Sequence, residues 1–540
     1  MTSMQNTGRS QVSKPEIDYS LYLVSGRELL PEGITYLESL EQAIQGGVTV
    51  VQVREKNADT GEFLKIAQET QELCNKYNVP LIINDRIDIA LAIRATGVHL
   101  GQTDMPVSVA RSLLPAETII GISCNNPEQV EKALNEGADY VGLGAVYGTA
   151  TKDVTGKITG PRNVGAMLEK LDGSNVKAVV IGGIKSSNVL RTLHGSVSTT
   201  GHVLDGVAVV SDIAASKTPK DAAHNLSSIV KAFKHVSLPS SLATPFSTQV
   251  SSPLVEHAAA LLYIVRKHGP LIHQITNTVV TNQSANATLA LGASPIMATS
   301  PHEMEDLQKA TGALLINFGT IADKEGMLQA GKFANLNKKP VVFDPVGVGA
   351  TAYRRAAAKE LMNFWQASII KGNAAEIGTL ADSVEVQAKG VDSGGSFENP
   401  PEVIRQLAQK ERCIIVLSGV TDYISNGSDV VALHNGHPLL GQITGSGCML
   451  GTVVATFAAA ERLRSLEKEG TGSNEEGRLV SGDMLLAAVG GVLALTVASE
   501  IAAARKDVKG SGTFLPALID ELGRLTPEVI IDRAKVELFH

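Results

Sequence analysis

Cysteine is scarce in this chain: four residues in 540, Cys74, Cys124, Cys413 and Cys448, with no Cys-x-x-Cys pair among them. That argues against a thiolate zinc site and gives no disulfide framework, so a reducing, cytoplasmic location is expected. Basic charge is short too. The formal net charge is −8, with Lys and Arg scattered rather than run together, which leaves no basic field for nucleic acid. Long hydrophobic runs are also missing. The longest apolar stretch, Met484 to Ser499, falls short of the ~20 residues of a membrane span and is interrupted by Gly490-Gly491. A buried helix is expected there, and no membrane partner. The first sixteen residues hold no apolar core that would read as a secretory signal, and residues 1–16 are expected to be a disordered lead-in.

What is present describes a globular chain of two domains. A length of 540 with 44% hydrophobic and 19% charged residues supports sizeable cores in more than one domain. Between Val236 and Pro253 the periodic pattern stops in a Ser-, Thr- and Pro-rich stretch, a linker at residues 238–252. Before it, over residues 17–237, strand-like runs begin near Leu21, Thr49, Leu81, Val98, Ile119, Tyr140, Val179 and Val207 and alternate with amphipathic stretches. Eight such units predict a (β/α)₈ barrel. Over residues 253–540 the runs Ala313 to Asn317, Pro340 to Phe343, Ser368 to Lys371 and Ile414 to Leu417 lie among long Ala-rich helices. Fewer strands and longer helices predict an open α/β sheet.

Barrel chemistry sits at the carboxyl ends of strands, so polar residues directly after apolar runs are the candidates. The second run ends Gln52-Val53-Arg54-Glu55-Lys56, and alternation puts Gln52, Arg54 and Lys56 on one side. The third ends Asn84-Asp85-Arg86, and the fourth reaches Asp104 through His99-Leu100-Gly101-Gln102-Thr103. One acid alone reads as a solvated loop residue. Two acids on a rim that also carries two cations describe a magnesium-dependent diphosphate site, because magnesium bridges carboxylates to phosphate oxygens. Gly121-Ile122-Ser123 and Thr149-Ala150-Thr151-Lys152 add hydroxyls and an ammonium group. Gly182-Gly183 and Val210-Ser211 end the last two strands, where barrels bind monophosphates through backbone N–H groups.

From Ile17 to His235 these motifs, in this order, resemble the thiamine-phosphate synthases. The resemblance implies that a hydroxymethylpyrimidine diphosphate is held by Arg54, Lys56, Asn84 and Lys152, with Glu55 in the same segment. Asp85 and Asp104 would bind its magnesium, and Gln52 and Ser123 would face the pyrimidine. A thiazole phosphate would lie against Thr149, Ala150, Thr151, Gly183, Val210 and Ser211. One departure stands out: Gly144-Ala145 and Gly148-Thr149 replace the family's Gly-Pro and Pro-Thr, which puts the stiffness of that loop in doubt but not its functional groups.

In the second half, Thr444-Gly445-Ser446-Gly447-Cys448 enters an Ala-rich helix and exposes N–H groups to an anion. No P-loop lysine motif occurs, so a nucleotide would be gripped otherwise. Asp344-Pro345-Val346-Gly347, Lys371-Gly372-Asn373-Ala374-Ala375-Glu376 and Ser418-Gly419 each follow a strand and would surround one crevice. With His273-Gln274-Ile275-Thr276-Asn277 and Gly292-Ala293-Ser294-Pro295-Ile296-Met297-Ala298, they resemble the hydroxyethylthiazole kinases, which are ribokinase-like, from Pro253 to Val536. The resemblance implies ATP as co-substrate, held by Arg354 and Ser418, with Asn373 and Glu376 organising magnesium and phosphates. Met297 and Gly445 would contact the thiazole alcohol. Cys448 stands where many relatives carry an aspartate base; a helix N-terminus lowers a thiol's pKa, which would help it take the hydroxyl proton, while a small packing residue is the plainer reading.

Taken together the halves are similar to the fungal type of bifunctional thiamine biosynthesis protein, since the kinase's product is the synthase's substrate. Small-molecule substrates are expected, and a homo-oligomer, trimer or hexamer, through the kinase half. A kinase acting on another small alcohol, or a pathway sensor with one silent half, would differ in which compounds are turned over.

Overall fold

Eight short aliphatic runs, each four to six residues long, become parallel strands: β1 (Leu21–Val24), β2 (Val50–Val53), β3 (Leu81–Asn84), β4 (Gly97–Leu100), β5 (Ile119–Cys124), β6 (Tyr140–Leu143), β7 (Lys177–Val180) and β8 (Gly206–Val209). Each pairs with the next, and β8 pairs with β1, so the barrel predicted from eight runs is closed. Helices cross between the strands, the longest being Thr60–Lys76 and Pro219–His235. The computed structural model describes residues 14–149, 158–235, 252–385, 387–389, 392–394, 396–469 and 477–539. Residues 1–13 of the expected lead-in and 238–251 of the expected linker therefore lie outside the described residues. Lys14 ion-pairs with Asp139, which precedes β6. The chain divides into two compact units, Met1–Lys234 and His235–His540.

The second unit is richer in strands than the sequence suggested. To the expected β11 (Ala313–Asn317), β12 (Val341–Asp344), β13 (Ile369–Gly372) and β16 (Ile414–Leu417) it adds β9 (Leu271–Ile275), β10 (Ser294–Ile296), β17 (Asp422–Ser425), β18 (Val430–Leu433) and β19 (Val536–Phe539). They form one sheet in the order β10-β9-β11-β12-β13-β16-β17-β18-β19, and a separate hairpin joins β14 (Gln387–Lys389) to β15 (Asp392–Gly394). Pairing is parallel through β16 and antiparallel beyond it. The parallel part matters most for function, since it brings the carboxyl ends of six strands to one edge. The additional strands escaped detection because β9 carries His273 and Gln274, β10 is three residues with a proline, and the last three lie on the antiparallel side of the sheet.

The apolar stretch after Asp483 is longer than the sequence suggested. Helix Met484–Ala503 is long and apolar enough to cross a membrane by length and composition, yet 89% of its most apolar window is buried inside the unit. It packs against helices Ser252–His268, Ser446–Glu469 and Ser511–Arg524. The glycine pair does not interrupt it: a Cβ on Gly490 would stand 2.6 Å from the Ala258 carbonyl oxygen, and one on Gly491 2.8 Å from the Val454 Cα. Glycine here is what lets the helices touch.

Two candidate active sites

At the barrel rim, strand alternation sends Gln52 inward, where it is buried and donates from Nε2 to the Tyr22 hydroxyl at 2.7 Å. Glu55 turns toward Arg27, at 3.4 Å, and burial holds its carboxyl above the usual range. Arg54, half-buried, has no ion pair among the described residues; its backbone N–H donates to the Ser25 hydroxyl at 2.8 Å. Lys56 pairs with Asp85. Asp85 takes a left-handed backbone (φ +60°) and donates its N–H to the His99 carbonyl at 2.8 Å, which turns the end of β3 toward the end of β4. There Asp104 accepts the Gly101 N–H at 2.7 Å.

The Asp85 and Asp104 carboxyls lie close enough to act on each other. Burial and Asp104 raise Asp85 against the pull of Lys56; against burial, Asp85 and the Gly101 N–H hold Asp104 below its ordinary value. Two adjacent acids beside an ammonium group are an oxygen donor set that fits magnesium. Among the described residues no third His, Cys, Asp or Glu joins them, as expected where substrate oxygens complete the shell. Asn84 is buried at the end of β3. Gly182 and Gly183 (φ +100° and +65°) form a turn after β7, and a Cβ on Gly183 would meet the Gly148 carbonyl oxygen at 2.7 Å. Val210 leads from β8 into helix Ser211–Ala214. Thr149 is half-buried; Ala150, Thr151 and Lys152 lie outside the described residues.

In the second unit the crevice is built from strand ends. Register places Asn317 of β11 beside Asp344 of β12, and one step beyond the paired Phe343 and Ile370 places Asp344 beside Lys371 of β13. Lys371 Nζ donates to Asp344 Oδ1 at 3.0 Å, with side chains only 3% and 0% exposed. Asn317 donates to the other Asp344 oxygen at 2.8 Å, Asn277 donates to Asn317 at 3.0 Å, and Asn277 also donates to Cys448 Sγ at 3.4 Å. A Cβ on Gly447 would lie 3.5 Å from Lys371 Nζ, so the ammonium group sits directly under the Gly445–Cys448 turn. Gly445 (φ +81°) could carry no side chain, since a Cβ would meet Val280 Cγ1 at 2.3 Å.

The other expected residues surround this line. Asn373 and Glu376 form a capping box on helix Ala374–Leu380, and Glu376 also accepts the Gly347 N–H at 3.0 Å. Burial raises the Glu376 carboxyl against the pull of Lys371. The Ser418 hydroxyl donates to the Gly372 carbonyl at 3.3 Å. Arg354 donates to the carbonyls of Phe318, Val346 and Gly319 at 2.6, 2.9 and 2.7 Å, stitching together the loops after β11 and β12. Met297 is half-buried at the sheet edge. Behind it His273 is fully buried, accepting from Gln308 at Nδ1 (2.5 Å) and donating from Nε2 to the Ala298 carbonyl (2.9 Å); burial lowers its pKa, so it stays a neutral brace.

Family models described as thiamine monophosphate synthase and hydroxyethylthiazole kinase family match residues 21–213 and 262–469 respectively. A probable thiamine biosynthetic bifunctional enzyme of Schizosaccharomyces pombe is 39% identical over 97% of this chain and 99% of its own. The chain belongs to the family of thiamine biosynthetic bifunctional enzymes. The thiamine biosynthetic bifunctional enzyme of Saccharomyces cerevisiae is 36% identical over 96% of this chain and 97% of its own. A hydroxyethylthiazole kinase of a Thermoanaerobacter species is 39% identical over 52% of this chain and 98% of its own. The chain is therefore a bifunctional enzyme of thiamine biosynthesis, with a thiamine-phosphate synthase barrel and a ribokinase-like hydroxyethylthiazole kinase unit.

Sequence reasoning passed over two groups of residues. In the kinase unit it quoted the segments holding Asp344 and Lys371 but gave neither a role; an acid and a base on neighbouring strand ends were the available signal. In the synthase unit Tyr22, Tyr140 and His99 line the barrel interior, and tyrosine within an apolar strand reads as core. The direction expected for Cys448 is reversed. Burial pushes its thiol above the ordinary value and Asp344 adds to this, outweighing Lys371 and the two asparagines. A helix N-terminus favours a thiolate only where desolvation does not cost more.

Proposed function

We propose that the synthase rim couples 4-amino-2-methyl-5-(diphosphooxymethyl)pyrimidine to 4-methyl-5-(2-phosphooxyethyl)thiazole, releasing diphosphate, with each residue in the role its position supports. The carrying observation is the grouping of Asp85, Asp104 and Lys56 near Arg54, which has no ion pair among the described residues. Arg54, Lys56, Asn84 and Lys152 hold the diphosphate, and Asp85 with Asp104 hold magnesium. Magnesium, when bound, offsets the charge that grows on the departing diphosphate oxygens. Gln52 and Ser123 orient the pyrimidine, with Glu55 fixing Arg27 behind the segment. The turn at Gly183, the cradle at Val210 and Ser211, and Thr149, Ala150 and Thr151 seat the thiazole phosphate so that the ring nitrogen faces the pyrimidine methylene carbon. The bond from that carbon to diphosphate breaks first, the electron pair leaving with diphosphate while the electron-rich aminopyrimidine stabilises the positive carbon, which the thiazole nitrogen then attacks. No protein base is needed, and positioning supplies much of the acceleration. Asp85→Asn is expected to lower diphosphate release by about 10²-fold or more; undiminished turnover by the purified variant overturns the assignment.

In the kinase unit ATP transfers its terminal phosphoryl group to the thiazole alcohol. Gly445 and Met297 seat the alcohol, Ser418 and Arg354 face the nucleotide, and Glu376 with Asn373 organises magnesium and phosphates. Lys371 is the cation under the phosphate turn, and the buried Asp344–Lys371 pair supports this reading. Cys448, at the end of the Gly445–Cys448 turn, is the candidate for taking the hydroxyl proton, against the burial that favours its thiol form. If it does, Cys448→Ala lowers kcat by about 10²-fold or more; unchanged kcat removes the role, because loose phosphoryl transfer needs little base assistance.

The enzyme works in the cytoplasm as a trimer, or a multiple such as a hexamer, formed through the kinase unit. Supporting assembly, β10 is an open sheet edge, and Val279 and Leu289, beside and on helix Thr281–Leu291, are 66% and 57% exposed. Sedimentation showing a monomer at micromolar concentration overturns it, as fractionation into an organelle overturns the location.

A further inference from the structure

Five side chains from five strands form one hydrogen-bonded line through the barrel. Gln52 Nε2 lies 2.7 Å from the Tyr22 hydroxyl, which lies 2.8 Å from the Tyr140 hydroxyl. Tyr140 lies 2.8 Å from His99 Nδ1, and His99 Nε2 lies 2.9 Å from the Ser123 hydroxyl. Glycine makes the room: a Cβ on Gly121 would fall 2.1 Å from Tyr140 Cζ, and one on Gly142 3.2 Å from His99 Cε1. Gln52, Tyr22 and Tyr140 are buried, while His99 and Ser123 are half-buried toward the rim. Burial drives both phenols well above their ordinary value, so each keeps its proton.

A phenol has one proton, and a neutral imidazole has one donor and one acceptor. A line of such groups in which every buried phenol proton is used runs in a single sense. With Gln52 donating to Tyr22, Tyr22 donates to Tyr140, Tyr140 to His99 Nδ1, and His99 Nε2–H to Ser123. Among the described residues neither Gln52 Oε1 nor the Ser123 proton has another partner. The line thus ends in an open acceptor at Gln52 and an open donor at Ser123.

We infer that this line is the specificity device of the synthase site: its sense requires a ring that offers an exocyclic amine to Gln52 and a ring nitrogen to Ser123. The inference rests on the synthase reading above. A 4-oxopyrimidine places a carbonyl against Oε1 and leaves both acceptors unpaired, whereas the 4-aminopyrimidine satisfies both ends. Tyr22 and Tyr140 touch no substrate; they are positioning residues that transmit the sense.

The test compares kcat/KM for the 4-amino and 4-oxo forms of the 2-methylpyrimidine diphosphate, each with the thiazole phosphate, in wild type, Tyr22→Phe and Tyr140→Phe. Wild type is expected to favour the amino form by about 10³-fold or more. Each variant cuts the line and lets the Gln52 amide turn, so the preference falls by about 10-fold or more. If both variants slow the two substrates equally and keep the wild-type preference, the tyrosines only fill space and the inference falls. Wild type releasing no diphosphate from the amino form removes the synthase reading and the inference with it. Should the variants fail to fold, isotope-labelled histidine in the wild-type protein reports the sense by magnetic resonance: His99 protonated at Nε2 upholds it, and His99 protonated at Nδ1 overturns it.

Discussion

Burying Lys371 and Asp344 costs several kcal/mol per ion before their attraction is counted, and well-packed apolar residues would fill the same space at no such cost. What the pair gains is a fixed positive charge under the Gly445–Cys448 turn. Asp422 is a second buried carboxyl nearby, 4% exposed and accepting the Gly419 N–H at 2.9 Å. Burial pushes it up to about 7, against about 4 in an unfolded chain. Between those values the folded state holds a proton that the unfolded state has released, so stability falls as pH rises through that window and stays low above it. Asp422→Asn keeps an acceptor for Gly419 and removes the titration. Chemical denaturation should find it more stable than wild type at pH 8 by a few kcal/mol at most, with the gap narrowing toward pH 4; a variant less stable at pH 8 would show the carboxylate ionised and paired. At this scale the rim acids were legible, because Asp85 directly follows β3 and Asp104 lies four residues past the end of β4. Lys371 and Asp344 were half-legible, since their contact depends on register. Tyr22 and Tyr140 were not, because only the barrel's closure turns separate strand residues into one line.

Elements were read most surely where a run was long and uniform. The eight barrel strands and β11, β12, β13 and β16 stood out as aliphatic blocks, whereas β9 hides behind His273 and Gln274, polar residues that are buried because they bond to Ala298, Thr288 and Thr452. Helix Met484–Ala503 was read as buried but too short, because Gly490-Gly491 resembles a break in sequence and is a contact surface in space. Gly490→Ala therefore belongs to the helix pair rather than to local propensity: its Cβ meets the Ala258 carbonyl and Phe457, a backbone atom and a ring that cannot give way cheaply. The expected cost is about 1–3 kcal/mol from overpacking. Calorimetry should show the kinase unit melting several degrees lower, and an unchanged transition would mean the helices separate freely there.

Across the whole chain, the change in composition around residues 238–252 lies close to the division at Lys234 and His235, because periodic apolar residues are what each core is built from. Two cores predict two independent chemistries. In the full-length protein, Asp85→Asn should silence diphosphate release and leave phosphorylation of the thiazole alcohol within about twofold, and Lys371→Met should do the reverse, losing about 10²-fold or more in phosphorylation alone. A defect that crosses from one activity to the other would show that the units are energetically coupled.

Helix Met484–Ala503 also sets an order of events during translation. It is apolar on every side, so it has no face that water tolerates, and its wrapping helices Ser252–His268 and Ser446–Glu469 leave the ribosome before it does. Two of the three helices that pack on it are thus made before it and the third, Ser511–Arg524, after it. A polypeptide that stops short of residue 484 leaves the apolar faces of the first two uncovered for chaperones and proteases to find.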